Sequence, residues 1–113
     1  MTTPQKAKGS QWERDVAKYL AEHGFPYAER RYGAGNTMDK GDINGLPGLV
    51  IECKNVGKLD LPGWLGEAER ERANAKADYG IVVAKRRGKG AEHGYVVLTL
   101  ADFARLWKER DEC

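Results

Sequence analysis

The chain has 113 residues, 41% of them hydrophobic and 32% charged, with a net charge of +2. That length holds one domain, residues 1–113, and that composition excludes a disordered chain. No apolar run approaches the roughly 18 residues of a membrane span, and the first residues lack the apolar stretch of a signal peptide.

Along the chain, residues 1–8 are expected to be loose and flexible. Ser10-Gln11-Trp12-Glu13 has the pattern of a capping box, and Trp12, Val16, Tyr19 and Leu20 recur at helical spacing. Gly24 is the expected C′ residue of that helix. Residues 25–32 read as a strand with basic residues near its end, and residues 33–41 as a polar, glycine-rich loop. Asp42-Ile43 should close a short strand. Asn44-Gly45 and Leu46-Pro47-Gly48 then turn the chain into an antiparallel return along residues 49–54.

Residues 61–78 read as helical, with Trp64, Leu65, Ala68, Ala75 and the stem of Arg72 on the packed face and Gly80 as the interruption. Residues 81–84 and 95–98 read as strands. Thr99, with Asp102 three residues on, should cap a last helix whose apolar stripe is Phe103, Leu106 and Trp107. Helical spacing assigns Trp12 and Trp107 to the core, whereas Trp64, just past Pro62-Gly63, fits core or surface. The order of elements implies an α/β fold, a mixed sheet with helices on its faces.

Chemistry concentrates in residues 42–54. Alternation along the strand puts Glu52 and Lys54 on one face and Ile51 and Cys53 on the other. The turn brings Asp42 to the side of Glu52. Two carboxylates and a backbone carbonyl, that of Cys53, are hard oxygen donors suited to magnesium, which keeps several waters and needs few protein ligands. Lys54 beside them is placed to orient or deprotonate a water, or to stabilise an extra charge on phosphate. Asp42 also fits a plain turn residue, and Glu52 with Lys54 an edge-strand ion pair. Glu13 fits either a cap for Ser10 or a further metal ligand, two roles that partly exclude each other. Arg30-Arg31 and the Lys85, Arg86, Arg87 and Lys89 cluster suit a polyanion, or solvated loop ends. Cys53 in a strand and Cys113 at the end are not placed to bridge and fit a reducing cytoplasm.

These residues resemble the PD-(D/E)XK nuclease superfamily and, within it, the small Holliday junction resolvases of archaeal and phage type. Gly9-Ser10-Gln11-Trp12-Glu13-Arg14 is similar to that family's opening helix motif, and Arg30-Arg31-Tyr32-Gly33-Ala34-Gly35 to its basic strand and small-residue loop. Gly41-Asp42-Ile43 and Ile51-Glu52-Cys53-Lys54 are similar to its metal-binding motifs. Order and spacing agree across residues 8–55, and beyond them the likeness is architectural.

The resemblance implies a restriction-endonuclease-like core and a catalytic set of Glu13, Asp42, Glu52 and Lys54. It implies Mg2+, with Mn2+ able to substitute, held by Glu13, Asp42, Glu52 and the Cys53 backbone carbonyl. Arg30, Arg31, Lys40, Lys85, Arg86 and Arg87 are the expected DNA contacts. The implied partners are branched double-stranded DNA and a second copy of the chain, with no membrane, in the cytoplasm (a host's, if phage-encoded). The activity is then a structure-selective DNA endonuclease making paired nicks in a four-way junction. Alternatives are a general or flap-directed nuclease of the same chemistry and a non-catalytic nucleic-acid binding module. Two departures stand out. Archaeal relatives carry a serine in the loop where this chain has Gly33-Ala34-Gly35, with Thr37 as a possible substitute, and the usual proline before the aspartate is replaced by Gly41.

Overall fold

The computed structural model describes residues 3–31 and 40–112. The Gly33-Ala34-Gly35 segment, Tyr32, Thr37 and Cys113 lie outside the described residues. The first helix, α1 (Pro4–Glu22), starts well before Ser10. Thr3 is the N-cap, its side chain accepting from the Lys6 amide at 3.1 Å. Pro4 follows it in the first turn, where a missing N–H costs nothing. The expected capping box therefore does not form, and residues 4–8 are helical. Thr3-Pro4 supplies the stronger start, and good helix formers carry it through to Gly9. At the other end, the Phe25 amide donates to the Leu20 carbonyl at 3.0 Å, the closing bond of a Schellman turn with Gly24 at C′.

Over residues 25–31, the described part of the expected strand at 25–32, only β1 (Glu29–Arg30) forms. Pro26 has no amide to give a ladder, and the Ala28 amide closes a turn onto the Phe25 carbonyl at 2.9 Å. β1 pairs antiparallel with β2 (Ile43–Asn44), Glu29 against Asn44 and Arg30 against Ile43. This corrects the expected hairpin: the ladder partner of β2 is β1 rather than the return strand. The return strand, β3 (Leu49–Lys54), is nevertheless tied to Asp42, whose amide donates to the Ile51 carbonyl at 2.8 Å.

β3 runs parallel to β4 (Tyr79–Ala84), in register from Leu49–Tyr79 to Lys54–Ala84, and α2 (Leu61–Ala75) is the crossover between them. β5 (Tyr95–Val97), reached through a 3-10 turn at Ala91–His93, pairs antiparallel with β4. The result is an α/β protein with a mixed three-stranded sheet. Alternation divides its core: Ile51 and Val83 pack with Trp12, Val16 and Ala17 of α1, and Val82 and Ala84 with Trp64 and Ala68 of α2. Trp12 also donates its indole N–H to the Val83 carbonyl at 3.1 Å.

α2 ends at Ala75, earlier than residue 78, on Lys76 in the left-handed conformation. Gly80 does not interrupt that helix; it lies inside β4. A Cβ there would come within 2.7 Å of the Ala68 carbonyl oxygen, so glycine is what lets α2 lie on the strand. Trp64 belongs to the core, at 8% exposed.

The last helix, α3 (Leu100–Arg110), is capped as expected, Thr99 Oγ1 accepting from the Asp102 amide at 3.1 Å. Its apolar stripe is not core. Trp107 is 54% exposed and no α3 residue is buried. Its ring is stacked with Phe103 of its own helix, with the Arg110 guanidinium 4.2 Å from its centroid, and the stripe is left open. Among the described residues, no helix is long and apolar enough to cross a membrane.

Candidate active site

Asp42 is the junction between the two sheets. Its carbonyl accepts from the Arg31 amide at 2.7 Å and its amide reaches Ile51, so its backbone is held from both sides. The side chain is held too, Oδ2 accepting from the Cys53 amide at 2.8 Å. Gly41 before it has φ +94°, which a proline ring does not adopt. The backbone thus explains why the proline of the resembled motif is absent.

Peptide groups on a strand point alternately to its two sides. The Lys54 carbonyl accepts from Lys85 on the β4 side. The peptide groups of Ile51 and Cys53 therefore face Asp42, and the Cys53 carbonyl opens on the same edge as the Asp42 carboxylate. The Cys53 thiol is driven upward in pKa by burial and by the Asp42, Glu13 and Glu52 charges, so it stays protonated.

Glu52 is 4% exposed and points to the α2 side, as the alternation requires. Burial raises its pKa far above the ordinary carboxyl range, and the neighbouring carboxyls of Asp42, Glu71 and Glu67 push the same way. The oxygens of Glu52, Glu67 and Glu71 lie within 4.8 Å of one another. Lys54 projects beside them, its Nζ 2.8 Å from Glu67 Oε1. Burial would lower the Lys54 pKa, but Glu67, Glu52 and Asp42 outweigh it, and the ammonium is held protonated.

Glu13 lies across the sheet on the α1 side. It is mid-helix, does not cap Ser10, and is bound by Arg30 Nε at 2.7 Å, while Arg30 Nη2 donates to Ser10 Oγ at 3.0 Å. Burial raises the Glu13 pKa, Arg30 opposes this, and the Asp42 charge raises it further. Asp42, Glu52 and Lys54 thus converge, with Glu13 near enough to Asp42 to feel its charge.

The expected DNA contacts separate into two kinds. Arg30 is engaged with Glu13 and Ser10, and Arg31 is half-buried, its Nε meeting no acceptor among the described residues. Lys40 is exposed and, with Arg31 and Lys76, borders a cleft of about 270 Å3 between the 45–48 turn and the end of α2. Lys85 lies over the Trp12 ring and donates to the Lys89 carbonyl, and Arg86 and Arg87 are exposed in the following turn. That turn is at the same end of the sheet as Lys54, since the Lys85 amide bonds to the Lys54 carbonyl at 2.8 Å.

Glu67 and Glu71 were not among the expected site residues. Their signal was present: residues 64, 68, 71 and 75 share one helix face, so Glu71 falls on the packed stripe, where it is 2% exposed. Arg72, expected there, is half-buried and pairs with Glu69. No family model, curated protein or solved structure matches the chain.

Proposed function

We propose that this chain is a divalent-metal-dependent DNA endonuclease with a restriction-endonuclease-like core, acting on four-way junctions as a homodimer. One observation carries the reading: Asp42 and Glu52 converge beside a protonated Lys54, with the Glu67 and Glu71 carboxyls adjoining.

The donor set suits magnesium or manganese. It is made of hard oxygens, and since burial and the neighbouring carboxyls raise the Glu52 pKa, a bound cation would favour its charged form. Asp42, Glu52 and the Cys53 carbonyl would hold the ion, which when bound supplies Lewis acidity and a water of lowered pKa. Glu13 would join them once Arg30 turns to a DNA phosphate.

The chain's own groups do the rest. The Cys53 amide fixes the rotamer of Asp42. Lys54, held as an ammonium, is suited to stabilising the charge that grows on the phosphate rather than to taking a proton from water. Water adds to phosphorus and gives up a proton to solvent, the bond to the leaving oxygen breaks, and that oxygen takes up a proton from solvent. The exposed Arg86-Arg87 turn at the same end of the sheet supports DNA binding by charge. The uncovered stripe of α3 supports pairing of two copies.

The test is incubation of the purified protein with labelled four-way, flap and linear duplex DNA, with and without Mg2+. Paired symmetric nicks in the junction, dependent on Mg2+, are expected. Asp42→Asn should abolish them while retaining junction binding. One-sided or random products would remove the resolvase reading, and full cleavage by Asp42→Asn would remove the mechanism.

A further inference from the structure

α2 and β3 meet in a register that the reaction itself does not require. On β3, Glu52 and Lys54 are alternate residues, about 6.6 Å apart along the strand. On α2, Glu67 and Glu71 are one turn apart, with a rise of about 6 Å. The two spacings match. Lys54 meets Glu67, and Glu52 meets Glu71, the helix running back along the strand as a crossover must.

We infer that Glu67 is a positioning residue for Lys54, holding its ammonium at one place beside the Asp42 and Glu52 carboxyls. This rests on the nuclease reading above. The geometry supplies the reason such a residue is needed. Lys54 has four rotatable bonds and two other carboxylates, those of Glu52 and Asp42, close enough to feel its charge. Without Glu67 the ammonium would be free to move among these carboxyls and away from the place where phosphate charge grows. The 2.8 Å contact with Glu67 Oε1 fixes one position for it. Glu67 approaches from a helix whose position is set independently, by Trp64 and Ala68 packed on β4. The anchor is therefore rigid where the lysine is not.

The experiment is a double-mutant cycle on single-turnover cleavage of a four-way junction in Mg2+, using wild type, Glu67→Ala, Glu67→Gln, Lys54→Ala and the Lys54→Ala/Glu67→Ala pair. Junction affinity and thermal unfolding are measured on each. Glu67→Ala is expected to slow cleavage on the order of ten- to a hundredfold, with affinity unchanged and unfolding still cooperative. Glu67→Gln should recover part of the rate through its remaining carbonyl acceptor. In the Lys54→Ala background, Glu67→Ala should cost nothing more.

A second readout needs no metal and no cleavage. The Lys54 ammonium should give a resolved, slowly exchanging NMR signal in wild type that is lost in Glu67→Ala. Wild-type cleavage by Glu67→Ala, losses that multiply in the pair, or no such signal in wild type would each overturn the positioning role alone. A wild-type protein that fails to cleave any DNA in Mg2+ overturns the nuclease reading, and this role with it.

Discussion

Glu52→Gln should alter how stability depends on pH in the metal-free protein. Glu52 is 4% exposed, and burial together with the Asp42 and Glu71 carboxyls lifts its pKa far above the ordinary value of 4.5. The unfolded chain gives up this proton near pH 4.5, whereas the folded chain keeps it. Above that pH the folded state thus binds one proton more than the unfolded state, and its stability falls as pH rises, by about 1.4 kcal/mol per pH unit. One proton sets the limit of this loss, at most about 4 kcal/mol from pH 5 to pH 8. Glutamine fills the same space, donates to its carboxylate neighbours and does not titrate. Groups that do not interact with Glu52 cancel in the difference, whereas Asp42, Glu67 and Glu71 titrate together with it. Urea unfolding in a chelator at successive pH values should show the variant gaining on wild type with that slope, and clearly more stable at pH 8. Mg2+ at pH 8 should then stabilise wild type and leave the variant unmoved. Parallel stability curves across this range would refute the buried, protonated carboxyl and the counter-charge argument built on it.

Replacing Arg86 and Arg87 together by alanine should weaken junction binding while leaving unfolding unchanged, because both side chains are exposed. The slope of log K against log salt should shrink by about 0.9 for each phosphate that the turn no longer neutralises, and an unchanged slope would show that this turn does not touch DNA. Trp107→Glu should leave monomer stability within about 0.5 kcal/mol, as for other surface changes, yet dissociate the proposed homodimer in sedimentation. A dimer that persists would place the interface away from α3.

The elements that periodicity alone could find are where the sequence put them: the α1 stripe of Trp12 and Val16, the β3 alternation and the Thr99 cap. Errors arose where a local pattern had a competitor. Ser10-x-x-Glu13 is a sound capping box, but Thr3-Pro4 starts the helix earlier and leaves Glu13 facing Arg30. Trp107 lies on a proper helical stripe, yet periodicity reports only that a helix has an apolar side. Whether another element covers that side is a matter of topology, and α3 follows an edge strand. Gly80 reads as a helix breaker until the closeness of α2 to β4 is known.

The candidate site follows the same division. Asp42, Glu52 and Lys54 were legible because a strand period and a turn lie within a few residues. Glu67 and Glu71 look, in sequence, like part of a solvated acidic run with Glu69. Helical spacing singles out Glu71, and the pairing of α2 with β3 separates the other two: Glu69 faces outward to Arg72, while Glu71 is buried against Glu52 and Glu67 holds Lys54. Burying acidic side chains beside Glu52 costs stability unless something offsets their charge. The Lys54 ammonium meets Glu67 and neighbours Glu52 and Asp42, and Glu52 keeps its proton. An apolar residue at position 71 would pack on the strand more cheaply, as Ala68 does one turn earlier. A carboxyl at that position suits a site that takes up a cation, whereas a plain structural cluster would leave Glu52 insensitive to Mg2+. The pH slope of Glu52→Gln and its response to Mg2+ separate those two possibilities in the absence of any substrate.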